Sequence, residues 1–222
     1  LDTAPTNEFS APPLIITRIS LLPAASGLTP EQISERLERL QLRDAVTLAD
    51  RLFREGQPSN AIARLDQLAP GLKAKRNRAL LLNRAAAYYF RQQQYGEATA
   101  LMKQAYEIDP QDVVAACNLA ATLLTTQQHD EALRILRNIP TSALSRPQLA
   151  FSIHFNMACA HSLRGEVNEG LESLARAAQI DPAGTAASIG DPQLDGLHQD
   201  PRFDSLRASL DAYLKRAQNP RP

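Results

Sequence analysis

The chain of 222 residues carries 24 basic and 24 acidic side chains, 44% apolar residues, 15 Pro, 2 Cys and no Trp. That apolar fraction excludes global disorder, and zero net charge supplies no long-range field to gather DNA, RNA or anionic lipid, so nucleic acid is not expected as a partner. Two thiols, Cys117 and Cys159, exclude a disulfide scaffold, and no Cys-x-x-Cys pair is present for zinc or thiol redox work.

The chain opens with an extended, Pro-containing arm over residues 1–28, where Pro5, Pro12, Pro13 and Pro23 forbid a regular helix and Ile15, Ile16, Thr17 and Ile19 favour an extended conformation. Its apolar stretch from Leu14 to Leu22 is interrupted by Arg18 and Ser20. It falls short of the about 20 residues a membrane helix needs, so no membrane span is expected. The arm is expected to pack on the units that follow it, to fill the protein's own groove, or to tether a partner. The first residue is Leu1 rather than Met, and the reading leans to an exported or periplasmic mature chain, with the cytoplasm as the alternative.

Residues 29–41 read as an N-terminal helix. Thr29-Pro30-Glu31-Gln32 offers a capping Thr, a Pro in the first turn and a Gln placed to complete a capping box. Whether this helix runs on past Asp44 is left open by the pattern.

From residue 42 to 182 the chain repeats itself. Four small residues fall in register, Ala49, Ala86, Ala120 and Ala158, each followed three positions later by a bulkier one, Leu52, Tyr89, Leu123 and His161. A second small position, Ala61, Ala98, Ala132 and Gly170, is followed after four residues by Leu65, Met102, Leu136 and Leu174. Each unit therefore carries two amphipathic helical stretches. The units span 42–70, 79–112, 113–140 and 151–184, and the longer steps are absorbed by the Pro- and Gly-containing stretches at 70–75 and 140–147. A small residue on each helix lets paired backbones approach, and stacking buries faces that one unit alone would expose.

These residues resemble the tetratricopeptide repeat (TPR) family. The unit from Ala79 to Asp112 is similar to its pattern through Leu82, Ala85, Ala86, Tyr89, Tyr95, Ala98, Ala105 and Asp109-Pro110, and the unit from Phe151 to Gly184 through Met157, Ala158, Gly165, Leu174, Ala177 and Asp181-Pro182. The third unit ends in Ile139-Pro140 instead of an acidic residue and Pro, and the first keeps only Ala49, Gly56 and Ala61. The resemblance implies an all-α, right-handed α-solenoid of about four helix-turn-helix units. Residues 185–222 form a linker and a C-terminal capping helix, opened by Asp200-Pro201 with Phe203, Leu206, Leu210, Tyr213 and Leu214 on one face. The last residues, Asn219 to Pro222, are expected to fray.

In the family the concave face is lined by the first helix of each unit. Register places Asn83, Arg84 and Arg91 there from the second unit, Cys117, Asn118 and Thr125 from the third, and Phe155, Asn156 and Cys159 from the fourth. A ladder of side-chain amides suits the backbone of an extended peptide, since each amide offers two donors and an acceptor. From Gln67 to Gly96 stand six basic residues, Lys73, Lys75, Arg76, Arg78, Arg84 and Arg91, and no acidic one, so that end is expected to favour an acidic side chain or a terminal carboxylate. Co-chaperones of the family hold a carboxylate with Lys, Arg and Asn. Here Val46 and Asp50 stand where Lys and Asn would be needed, so no chaperone-tail receptor is expected.

Catalytic, metal and cofactor sites are not expected. His154 and His161 fall at core positions with no carboxylate at ligand spacing, and no Gly-rich phosphate loop, His-Glu-x-x-His helix or Gly-x-Ser-x-Gly elbow is present. Cys117 and Cys159 are expected to remain free thiols. The resulting expectation is a non-catalytic adaptor that grips an extended peptide or helix of another protein. Its alternatives are a chaperone for a secretion substrate and a homo-oligomer built through the N-terminal arm. Twenty Arg against four Lys fits a GC-rich bacterial genome, which suggests a bacterial envelope or secretion assembly as the setting.

Overall fold

The computed structural model describes residues 29–218, and the arm at 1–28 and the tail at 219–222 lie outside them. Ten α-helices and three short 3-10 turns make up the regular structure of the described residues, which contain no strand.

The first helix, α1 (Pro30–Arg54), is continuous, which resolves the junction that the pattern left open. The capping box at its start is formed: the Thr29 backbone N–H donates to Gln32 Oε1 at 2.8 Å, and the Gln32 N–H donates to Thr29 Oγ1 at 3.3 Å. Contacts divide the chain into residues 1–40 and residues 41–222, and the second of these bodies holds the repeats.

In that body the later part of α1 is followed by α2 (Pro58–Leu68), and three further hairpins come in sequence order. They are α3 (Lys75–Arg91) with α4 (Tyr95–Ile108), α5 (Val113–Thr125) with α6 (His129–Arg137), and α7 (Pro147–Leu163) with α8 (Val167–Ile180). The 3-10 turns Ala69–Gly71 and Thr141–Ser145 occupy the two stretches that lengthen the repeat, so the insertions leave the helices in register.

The small positions do what the spacing predicts. Ala49, Ala86, Ala120 and Ala158 have no exposed surface, and neither do Ala61, Ala98 and Ala132. With only a methyl group at each, paired helices approach closely and the larger side chains beside them close the core. One apolar cluster joins Leu42, Ala49, Ile62, Leu65, Leu81 and Tyr88 in the first two hairpins, and a larger one runs from Met102 through Leu123, Ile135 and Leu174 to Leu197 and Phe203.

Within each hairpin the turn reverses at a residue with positive φ: Gly56 at +77°, Gln93 at +61°, Gln127 at +63° and Gly165 at +74°. These are equivalent positions in the repeat. Glycine takes this left-handed geometry without steric penalty, whereas the two glutamines hold it against a clash with their own Cβ. His161 closes the last of these turns. Its buried ring meets Glu166 Oε2 at 2.6 Å, and Glu166 also accepts from Arg164, so this histidine is a structural partner of the turn.

After α8 come α9 (Pro182–Ser188), the 3-10 turn Pro192–Leu197 and α10 (Pro201–Gln218). Leu194 and Leu197 are fully buried, and Phe203 and Leu210 of α10 are nearly so. Tyr213, expected on the same apolar face, is 44% exposed, because the packing of α10 does not extend to its last turns. The 3-10 turn explains why the fourth unit has Gly170 where the others have Ala. A Cβ at residue 170 would lie 2.8 Å from Leu197 Cδ2, so the turn takes the space a methyl group fills elsewhere. Gly196 is under the same pressure, since a Cβ there would sit 2.5 Å from the Ser162 carbonyl oxygen.

Candidate functional site

The first helices of the hairpins lie side by side and are bonded to one another along the face that register assigned to binding. Asn118 Nδ2 on α5 donates to Asn83 Oδ1 on α3 at 3.2 Å, and Asn156 Nδ2 on α7 donates to the Cys117 carbonyl at 3.1 Å. The amides are thus pre-oriented, and each is half-buried with part of its hydrogen-bonding capacity unspent.

The end of this face at the first two hairpins is ionic and aromatic. Arg84 donates to one oxygen of Asp50 and the Tyr88 hydroxyl donates to the other, so a single carboxylate on α1 holds two side chains of α3. Burial first, and then the hydrogen bond and charge of Asp50, push the Tyr88 hydroxyl well above its usual range, while Arg84 and Arg91 oppose the shift. The Tyr88 ring stacks on Phe53 with centroids 4.6 Å apart, and the Arg91 guanidinium sits 5.7 Å from the Phe53 centroid. Arg84 is therefore charge-balanced within the chain, and Arg91 rests on an aromatic face.

The other end is apolar underneath and partly covered. Cys117 and Cys159 are buried free thiols. Burial, with Asp112 nearby, pushes Cys117 up to about 11, and burial with Asp191 nearby raises Cys159 as well. Phe155 is half-buried against the main core and stacks on Phe151 at 5.7 Å. Thr125 donates to the Ala121 carbonyl at 3.1 Å and accepts from Gln193 Nε2 at 3.4 Å. Gln193 belongs to the 3-10 turn after the repeats, so the segment around Asp191 and Gln193 overlies this end of the face.

Of the nine residues that register placed on this face, Cys117 and Cys159 are buried thiols and the other seven fall into separate groups. Asn83 and Asn118 touch each other, Arg84 and Arg91 join a cluster with Asp50, Tyr88 and Phe53, and Thr125 lies beneath the C-terminal segment. Asn156 bonds backbone, and Phe155 is engaged with the core. Register reasoning passed over Phe53, Tyr88 and Gln193. The first two were legible as the aromatic neighbours of Asp50 and Arg91 at groove positions. Gln193 had no local signal, because its partner is 68 residues away. Among the described residues, no three His, Cys, Asp or Glu side chains come together as a metal-binding group, and no helix is long and apolar enough to cross a membrane.

Stacked helical hairpins with a bonded inner row of first helices define the class: this is an α-solenoid of the tetratricopeptide-repeat type. The family model described as Tetratricopeptide repeat matches residues 89–150. Among solved structures, it is similar to MamA 41-end from Desulfovibrio magneticus RS-1, with 17% identity, a TM-score of 0.57, and coverage of 81% of this chain and 97% of that one. A MamA RS-1 double mutant shares 18% identity at a TM-score of 0.61, covering 82% and 98%. The nearly identical TPR-like repeats of a putative kinesin light chain from Podosopora anserina share 21% at a TM-score of 0.62, covering 80% and 97%. At these identities the likeness concerns the fold. No curated protein gives a significant match.

Proposed function

We propose that this chain is a non-catalytic adaptor that holds an extended segment or a helix of another protein against the face formed by α1, α3, α5 and α7. The observation that carries this reading is the pre-organised amide row, Asn83 bonded to Asn118 and Asn156 bonded to the Cys117 carbonyl, on helices whose opposite sides are spent on the core. Side chains already fixed in one orientation lose little entropy when a partner's backbone arrives. The TPR fold supports a protein as the partner, and the envelope or secretion setting belongs to the same proposal.

The test is an array of overlapping synthetic peptides probed with the labelled full chain and with the variant carrying Asn83→Ala, Asn118→Ala and Asn156→Ala. Peptides captured by the unaltered chain are expected to lose about tenfold in affinity, the loss of one or two net hydrogen bonds. Equal capture by a variant of unchanged melting temperature would remove this face from the site.

A further inference from the structure

The six-residue basic run read from the sequence is divided by the structure into two populations. Arg84 is met by Asp50 and Arg91 lies over Phe53. Lys73, Lys75, Arg76 and Arg78 have no carboxylate within ion-pair distance among the described residues. Three of these four stand in the first turn of α3, which contains no acidic residue. A helix N-terminus already carries partial positive charge, so these cations repel it and one another, and no ion pair among the described residues offsets them.

Arg76 also faces Arg146, the N-cap residue of α7, across a cleft of about 290 Å³ beside the start of α5. Neither guanidinium is paired among the described residues. Asp109 and Asp112 line the same cleft and keep their charge while accepting from backbone N–H groups, but Lys73, Lys75, Arg76, Arg78 and Arg146 outnumber them in and beside it. Asp112 Oδ1 accepts from the Val114 and Ala115 N–H groups at 2.9 and 3.2 Å, and Asp109 Oδ1 accepts from the Gln111 N–H at 3.3 Å.

The cleft is also where apolar surface is left in water. Of the four large apolar side chains exposed among the described residues, Val114 lines the cleft, Leu80 lies one helical turn beyond Arg76, and Leu144 stands two residues before Arg146. Leu80 and Val114 occupy the same repeat position on α3 and α5, 45% and 48% exposed.

We propose that this rim cleft is a docking site for an acidic segment of a partner protein, with two or more Asp or Glu side chains flanking a large apolar one. The apolar side chain packs on Leu80 and Val114, one carboxylate enters between Arg76 and Arg146, and a second meets Lys73, Lys75 or Arg78. Acidic side chains are favoured over a single terminal carboxylate because the unmatched cations extend from the loop before α3 through its first turn, beyond the reach of one anionic group. The proposal rests on the adaptor reading and adds to it the chemistry of the partner.

The test uses the full chain and three fluorescein-labelled twelve-residue peptides, followed by anisotropy. One has Glu on both sides of a central Leu, one replaces every Glu by Gln, and one replaces the Leu by Ser. The first is expected to bind, more weakly as salt rises, and the other two to bind at least about tenfold less well. Arg76→Ala with Arg146→Ala is expected to cost about tenfold for the first peptide only, as is Leu80→Ser with Val114→Ser. All four positions are exposed, and unchanged melting temperatures verify that the variants fold. No binding of the acidic peptide, equal binding of the Gln peptide, or indifference to the Arg pair overturns the proposal. If the Asn83, Asn118 and Asn156 variant loses binding while the rim variants do not, the rim site fails and the inner face stands. If the rim variants alone lose it, the reverse holds.

Discussion

The inner face is built differently at its two ends. At the first two hairpins it is held by charge and aromatic stacking: Asp50 fixes Arg84 and Tyr88, Phe53 lies between Tyr88 and Arg91, and the cluster remains partly open to solvent. At the last two it is held by amides and by a segment from outside the repeats, with Gln193 on Thr125 and Leu194 and Leu197 buried beside Ser162 and Gly170. The comparison teaches that one repeat frame supports an end held by ionic and aromatic contacts and an end covered by the segment after the repeats.

The largest expected effect tests the closed end. Leu197→Ala empties a fully buried site and should cost about 3 kcal/mol. If the C-terminal turn is what seals this end, the variant should also speed the reaction of Cys159 with a thiol reagent. A destabilised protein with unchanged Cys159 reactivity would break the contrast between the ends. Next comes Asp50→Ala, which strips Arg84 and Tyr88 of their shared acceptor. In this partly exposed site the cost should be about 1 kcal/mol by thermal melting. Released Arg84 should bind acidic peptides more tightly, and no gain would show that its charge is already available.

A smaller effect separates the two inner turns, which glutamine holds, from the outer two, which glycine holds. Gln93→Gly and Gln127→Gly relieve positive φ values of +61° and +63° in the second and third hairpins. Each should raise stability by about 0.5 to 1 kcal/mol, read from denaturant midpoints. The smallest concerns His154 on α7, held below the usual 6.5 by burial and then by Arg176. The unfolded chain takes up this proton first as pH falls. Stability from the neutral ring is therefore full above pH 6.5 and declines as pH drops toward the folded value. His154→Gln should flatten that part of the melting-temperature profile, and an unchanged slope would assign it to other groups.

How much was legible in the sequence follows the range of the interactions. The small residues Ala49, Ala86, Ala120 and Ala158 announced the hairpins because helical period and close packing are local consequences of residue size, and all four are fully buried. The equivalence of Asn118 and Asn156 was legible for the same reason, since register carries a position from one unit to the next. The state of the arginines was not. Asp50 was visible at a groove position, but its bond to Arg84 spans 34 residues and depends on how α1 and α3 meet.

By itself the sequence determined the helical periodicity and the place of the turns, because these depend on the volumes and spacings of neighbours along the chain. Only the tertiary structure decided which cations are paired among the described residues, and that the segment after the last repeat lies over Thr125. Charge neutralisation and covering are set by groups brought together from distant parts of the chain, and spacing along one helix carries no record of them.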